Sequence, residues 1–318
     1  MKHPTTFTVK SVAEFVNVLS SLRDYYRQRN EYTGEQFLLF YRGQANSSWG
    51  LVPNLFRKVF PSLFYKKDAR FSELENKKAK LFSALLRDEA RKSDFSYFNY
   101  EAEIIAALRN KYPKLITQDM DNLDVLTFLQ HVGGRTRLLD ITSDALVALY
   151  FATSTERRTN GIVFAIPVMR SELNAALTDR EKLNLLANPQ IYRLRDIKSV
   201  NKKFRCNLKD KDFKPIIVPP RYVTQRQGRQ AGCFFLFPNQ LKGNTFVSAP
   251  VCFKNALITK IIVKASEKKK IRSELDWFFG LREQTLSPDD MTVAARDVID
   301  QFTHTLKDDT GYLVDEQP

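Results

Sequence analysis

Apolar residues return every three or four positions through Val12, Phe15, Leu19, Leu22 and Tyr26, which predicts an amphipathic helix over residues 11–30. Ser11 opens it with Glu14 three positions on, the spacing of a capping box that satisfies the first free amides of a helix. Residues 37–41 are an unbroken apolar run, too short for a helix and flanked by Gly34 and Gly43, so they predict a buried strand. The charged stretch 68–92 has helical character, and 99–110 predicts a helix that turns Ile104, Ile105 and Leu108 inward. Asp121 caps a short helix carrying Val125, Leu126, Phe128 and Leu129, which the Gly133-Gly134 pair breaks.

The second half alternates less regularly. Residues 137–141 predict a strand, and Ser143 or Asp144 caps a helix over 145–154. A clear strand follows over 161–168, then a helix over 172–186 and a polar, basic connection to Lys214. Further strands are predicted over 216–218, 232–237 and 258–264. Two C-terminal helices come last, one holding Ile271, Leu275 and Phe278, the other announced by Ser287-Pro288-Asp289. Helices first and scattered strands afterwards imply an α+β architecture. There is no strict β-α-β alternation and no GxGxxG or GxxxxGK[ST], which argues against Rossmann and P-loop nucleotide folds.

Composition narrows the class. Apolar residues make up 43% of 318 positions, enough for a packed core. No stretch approaches the ~18–20 apolar residues of a membrane span, and the first ten residues lack the apolar run of a secretory signal. Cys206, Cys233 and Cys252 are odd in number and without CxxC spacing, which predicts reduced thiols in a cytoplasmic protein. With only His3, His131 and His304 beside them, no metal site is expected. The net charge of +14 calls for an anionic partner: a nucleotide, a nucleic acid, an acidic protein or a phosphate-bearing cofactor. Much of that excess lies over 193–229, which reads as either a solvated basic loop or a contact surface.

Three constellations carry candidate chemistry. In Phe40-Tyr41-Arg42-Gly43-Gln44 an arginine closes the strand and a glycine lets another backbone or a ligand approach. The guanidinium suits a phosphate or carboxylate, or it holds a loop through carbonyls. Residues 129–143, running into Ala148-Leu149-Tyr150-Phe151-Ala152, place polar groups at a strand end and a helix start. Thr142, Ser143 and Asp144 there are caps or ligand contacts, and His131 bonds across a turn. Asp140 pairs with Arg42, Arg135 or Arg137, or serves as a catalytic acid. In the third, Arg226 to Phe234, Gln230 precedes an apolar strand and bonds either backbone or a ligand hydroxyl.

These blocks resemble the FRG-domain family, named for the aromatic-Arg-Gly run that Tyr41, Arg42 and Gly43 supply. The family's Trp-x-Leu-x-Pro run is similar to Trp49, Leu51 and Pro53, and its Leu-Gln-His-x-Gly…Thr-Arg-Leu-Leu-Asp-x-Thr block to residues 129–142. Its Arg-x-x-x-Gln-x-Gly-x-Phe block corresponds to Arg226, Gln230, Gly232 and Phe234, while Ile141 stands where an aromatic residue is usual. The resemblance runs from about residue 8 to 300 and implies a single domain over 1–318, with N-terminal helices (11–30), a central core (37–265) and a C-terminal helical segment (266–305). It implies a bacterial-type intracellular protein associated with phage defence and toxin-like systems.

In outline the order also resembles the ADP-ribosyltransferase superfamily, which implies a mixed or antiparallel split sheet flanked by helices. In that reading Arg42, with Tyr41, Gly43 and Gln44 beside it, holds the pyrophosphate of NAD. Thr142 or Ser143 braces the first-strand loop, with His131 and Arg226 nearby, and Gln230 bonds the ribose hydroxyls. Glutamine cannot act as a carboxylate. Either Asp140 supplies the missing charge, or the site binds a nucleotide without transferring it. The leading expectation is an NAD-using ADP-ribosyltransferase-like toxin or defence effector. The alternative is a nucleic-acid-binding module of an anti-phage system, in which residues 193–229 contact backbone phosphates and Phe204, Phe213 and Tyr222 stack. A protein target or a cognate protein partner without catalysis is a third reading.

Overall fold

The computed structural model describes residues 5–55 and 97–286, apart from 112, 115, 118, 132, 156–157, 195, 220–227, 243–244 and 251–256. Its centre is a seven-stranded mixed sheet. From edge to edge it runs β1 (Thr6–Val9), β9 (Thr259–Val263), β4 (Gly161–Met169), β2 (Phe37–Gln44), β3 (Leu138–Thr142), β6 (Gly232–Leu236) and β5 (Ile216–Val218). β1 and β9 are parallel; every other neighbouring pair is antiparallel. A separate hairpin joins β7 (Asn239–Lys242) to β8 (Thr245–Pro250).

Both faces of the sheet are covered, and β4 shows how. Ile162, Phe164, Ile166 and Val168 enter one apolar cluster, while Val163 and Ala165, on the other side of the pleat, enter a second. A strand buried on both sides reads as a continuous apolar run, as 161–168 does. The first face packs against α2 (Tyr97–Lys111), α3 (Asn122–His131), α5 (Arg170–Thr178), α6 (Arg180–Ala187) and α7 (Ile197–Phe204). The second packs against α1 (Val12–Thr33), α4 (Ala145–Thr153), α8 (Lys268–Phe279) and the short α9 (Glu283–Leu286).

Caps set the boundaries. The Ser11 hydroxyl accepts from the Glu14 amide, while the Glu14 carboxylate reaches the Lys10 amide. Gly34, at φ +70°, closes α1 through a bond to the Asn30 carbonyl. Asp144, of the two candidates, caps α4, accepting from the amides of Leu146 and Val147.

Several expectations need correction. The strand predicted over 37–41 continues to Gln44, because β4 pairs with it residue for residue, so Arg42 lies within the strand and does not end it. The helix predicted over 172–186 is two helices, broken at Asp179, whose carboxylate caps the second. The basic connection contains α7, anchored by buried Ile197 and Val200 among lysines that obscure the period. Phe278 is exposed and covers no core. The four-residue β1 was too short to stand out and is held by its parallel partner β9. The helical stretch over 68–92 and the helix announced at Ser287 lie outside the described residues. No described helix is long and apolar enough to cross a membrane.

Candidate functional site

The two edges of β2 differ, and the difference makes the site. Toward β4 it pairs through eight positions, from Phe37 opposite Met169 to Gln44 opposite Ile162. Toward β3 it pairs at Tyr41 opposite Thr142 alone. Continuing that register would set Gly43 opposite Asp140, but the strands part there and leave a cleft of about 250 Å³.

Arg42 spans the opening. Its Nη1 donates to the main-chain carbonyl of Asp140 and lies 3.5 Å from the Asp140 carboxylate oxygen Oδ2. The Arg42 side chain is 16% exposed and that of Asp140 57%, so the acid is the wetter partner. The buried Nε of Arg42 meets no acceptor among the described residues. Burial lowers the arginine's pKa from its ordinary value, and the Asp140 charge pushes it back. Of the three arginines the sequence offers to Asp140, Arg42 faces it, and Arg137 does not.

Arg137 is engaged elsewhere. It is fully buried against Glu101, with Nε 2.6 Å from Oε2, and its Nη2 donates to the Ala187 carbonyl at 2.9 Å. The Tyr192 ring lies 4.8 Å from its guanidinium carbon. That arginine locks α2 and the end of α6 to the start of β3.

Gly43 and Gly161 serve packing. A Cβ on Gly43 would lie 1.7 Å from the Ala148 carbonyl oxygen, and one on Gly161 2.0 Å from that of Ala152. Helix α4 therefore sits directly on β2 and β4, and what Gly43 admits is backbone. Lys268, 3% exposed, ties the ends together by donating to the carbonyls of Ala45 and Thr155.

The cleft brings most of the sequence-predicted residues together. Tyr41, Arg42 and Gly43 line one wall; Asp140 and Thr142 another; His131 and Gln230 also border it. Phe151, Val147 and Phe234 add apolar surface. The Thr142 hydroxyl donates to the Gln230 carbonyl at 2.6 Å and accepts from the Asp144 amide at 2.9 Å, pinning the turn before β6 to the strand. The Gln230 side chain is partly committed: Nε2 donates to the Leu286 carbonyl at 2.8 Å.

Two predicted residues are not there. Ser143 is exposed, and its amide joins the Ala231 carbonyl. Gln44 is buried at 3% exposure and braces the following loop through the Gly50 carbonyl. Both lie outside the cleft lining: Gln44 is the last residue of β2 and turns to the loop beyond, and Ser143 follows the end of β3. Arg226 lies outside the described residues.

Sequence reasoning passed over Gln130. Its Nε2 donates to Asp140 Oδ2 at 2.9 Å. The signal was present in the short link between the helix broken at Gly133 and the strand beginning near 138, which folds position 130 back beside 140. In the basic stretch, Phe213 is buried and Phe204 packs against the core, so neither is placed for stacking on a base. Tyr222 is outside the described residues. Burial raises the Cys233 thiol to about 12, and burial followed by the Asp144 charge raises Tyr41 to about 12. Both are proton-bearing at neutral pH. Among the described residues, no group of three His, Cys, Asp or Glu side chains could hold a metal ion.

Residues 38–161 match the family model of the FRG domain. That span covers β2 from Leu38 onward, α2, α3, β3 and α4, and ends where β4 begins. No curated protein and no solved structure matches the chain.

Proposed function

We propose that this chain, which carries an FRG domain, binds an NAD-type dinucleotide in the cleft between β2 and β3 and transfers its ADP-ribosyl group. The observation that carries the reading is Arg42, with one arm bonded, Nε buried without an acceptor among the described residues, and its guanidinium at the parted seam. A buried cation short of acceptor oxygens is matched by a phosphate, which offers several in a geometry the planar fork can meet. Small-ligand pockets usually enclose roughly 300–1,000 Å³. A cleft of about 250 Å³ takes the ribose–phosphate portion and leaves the remainder along the surface.

In the transfer, the bond between ribose C1′ and the nicotinamide nitrogen breaks, and its electron pair leaves with nicotinamide. An acceptor nucleophile bonds C1′ and gives up its proton. Positive charge builds on the ribose as the bond opens, so a carboxylate nearby lowers the barrier. Asp140 stabilises that charge and receives the proton. With its amide nitrogen taken by Leu286, Gln230 offers Oε1 to a ribose hydroxyl. Such an enzyme would act as a toxin-like or defence effector.

The test is incubation of the chain with isotopically labelled NAD and whole-cell extract. Label should move to a macromolecule in the wild type and remain on NAD with Arg42→Ala. A folded wild type that neither binds NAD by calorimetry nor consumes it would defeat the reading.

A second reading has its own support. Lys198, Lys202, Lys203, Arg205, Lys209 and Lys211 are exposed and have no ion pair among the described residues. These cations suit nucleic-acid phosphates. Affinity for a random duplex that falls steeply with salt and ignores NAD would favour it.

A further inference from the structure

Asp140 is oriented by a chain of hydrogen bonds that starts in the backbone. The Leu138 amide donates to Thr136 Oγ1 at 3.0 Å. The Thr136 hydroxyl donates to Gln130 Oε1 at 2.6 Å, and Gln130 Nε2 donates to Asp140 Oδ2 at 2.9 Å. The turn that permits it is tight. Gly133 adopts φ +88°, and the Gly134 amide returns to the Leu129 carbonyl at 2.8 Å.

The direction of the chain follows from burial. Thr136 has no exposed surface, and its oxygen already accepts from Leu138. Its own proton needs an acceptor, because a buried donor left unmet loses the hydrogen bond it had to water and gains none in return. Gln130 Oε1 is that acceptor, so the amide cannot turn over without stranding the proton. Turning it would also set Oε1 against Asp140 Oδ2, two acceptors face to face unless the acid carried a proton. Thr136 therefore selects one pairing, with the amide nitrogen toward Asp140 Oδ2. Oδ2 is occupied by Gln130 and lies 3.5 Å from Arg42 Nη1. Oδ1 meets no donor among the described residues, on a side chain 57% exposed at the cleft.

We infer that Gln130, locked by Thr136, is the positioning residue of the cleft: it holds Asp140 as a carboxylate acceptor and presents Oδ1 to the ligand. In the proposed transfer the Asp140 group so positioned is the base and charge stabiliser. The catalytic part of this inference rests on the proposed ADP-ribosyl transfer; the orienting chain does not.

Two measurements on the 318-residue chain test it. The first follows the Gln130 side-chain amide in ¹H–¹⁵N spectra, assigned by its loss in Gln130→Leu. Asp140→Asn and Thr136→Val should each move that resonance, and Thr136→Ser, which keeps the hydroxyl, should leave it near the wild-type position. A resonance indifferent to both Asp140→Asn and Thr136→Val overturns the inference, whatever the ligand. The second follows label transfer from NAD. Gln130→Leu and Thr136→Val should lower kcat on the order of 10²-fold with KM little changed, because misplacing a reacting group by an ångström costs about that much. Thr136→Ser should retain most of the rate. A loss confined to KM, or no rescue by serine, removes the positioning role. If the wild type shows no transfer at all, the proposed function falls, and the amide resonance still decides whether Gln130 orients Asp140.

Discussion

Along one edge β2 is sealed to β4 by eight paired positions, and along the other it touches β3 at one. Two arginines flank the β3 side of that strand, and they are satisfied differently. Arg137, at the start of β3, is fully buried and bonded through Nε and both terminal nitrogens to Glu101 and the carbonyls of Leu186 and Ala187. Among the described residues Arg42, at the parted seam, uses one nitrogen and keeps another buried without an acceptor. Saturated groups hold a fold together, whereas an unsaturated cation beside an opening is suited to an incoming anion. The FRG-domain match spans both arginines, so a motif alone does not tell which of its charged positions is scaffold and which is site.

The largest expected effect would separate these arginines. Arg137→Leu strands the Glu101 carboxylate in the core and should cost about 3–5 kcal/mol in urea unfolding. Arg42→Ala removes one bond at a partly open seam and should cost about 1 kcal/mol while abolishing NAD binding. Equal losses would mean that both arginines are structural and would end the comparison.

Gly43→Ala probes the sealed side next. Its Cβ would overlap a backbone carbonyl of α4, which cannot rotate away, so a loss of up to about 3 kcal/mol is expected in the same assay. A neutral result would show that α4 is free to lift from β2.

Alkaline pH should sharpen the contrast through groups at the cleft. Cys233 moves from 9.0 unfolded to about 12 folded, and Tyr41 from 10.0 to about 12. Both pKa values are raised, so the folded state keeps protons that the unfolded state has released. The stabilisation is complete below pH 9 and declines as pH rises toward 12. The slope is about 1.4 kcal/mol per pH unit for Cys233 from pH 9, with a similar contribution from Tyr41 above pH 10. Unfolding free energies measured between pH 8 and 11 check this, and Cys233→Ser should flatten the lower part of the curve.

The smallest effect is expected from Gln230→Ala, which loses the bond to the Leu286 carbonyl. About 1 kcal/mol of stability should go, with a modest weakening of ADP-ribose binding by calorimetry. Unchanged binding would take Gln230 out of the site while leaving Arg42 and Asp140 in place.

Much of the architecture was legible along the chain because local rules carry it. The period of Val12, Phe15, Leu22 and Tyr26, the unbroken apolar run of β4 and the caps at Ser11 and Asp144 each depend on neighbours within a turn or two. Errors fell where a distant partner overrode the local pattern. β2 runs on through Arg42 because β4 pairs with it, and β1 exists because β9 lies beside it. α7 was hidden because two apolar anchors suffice once a core receives them.

The same division applies to the site. Sequence alone determined which residue types were available: an arginine followed by glycine, a Thr-Arg-Leu-Leu-Asp block, a glutamine before an apolar strand, and a surplus of positive charge. Only tertiary structure decided their duties. Whether an arginine is saturated depends on carbonyls and carboxylates far along the chain: Glu101 and Ala187 for Arg137, Asp140 for Arg42. Hydrogen-bond satisfaction is a property of what surrounds a group in space, and a chain read in one dimension does not contain it.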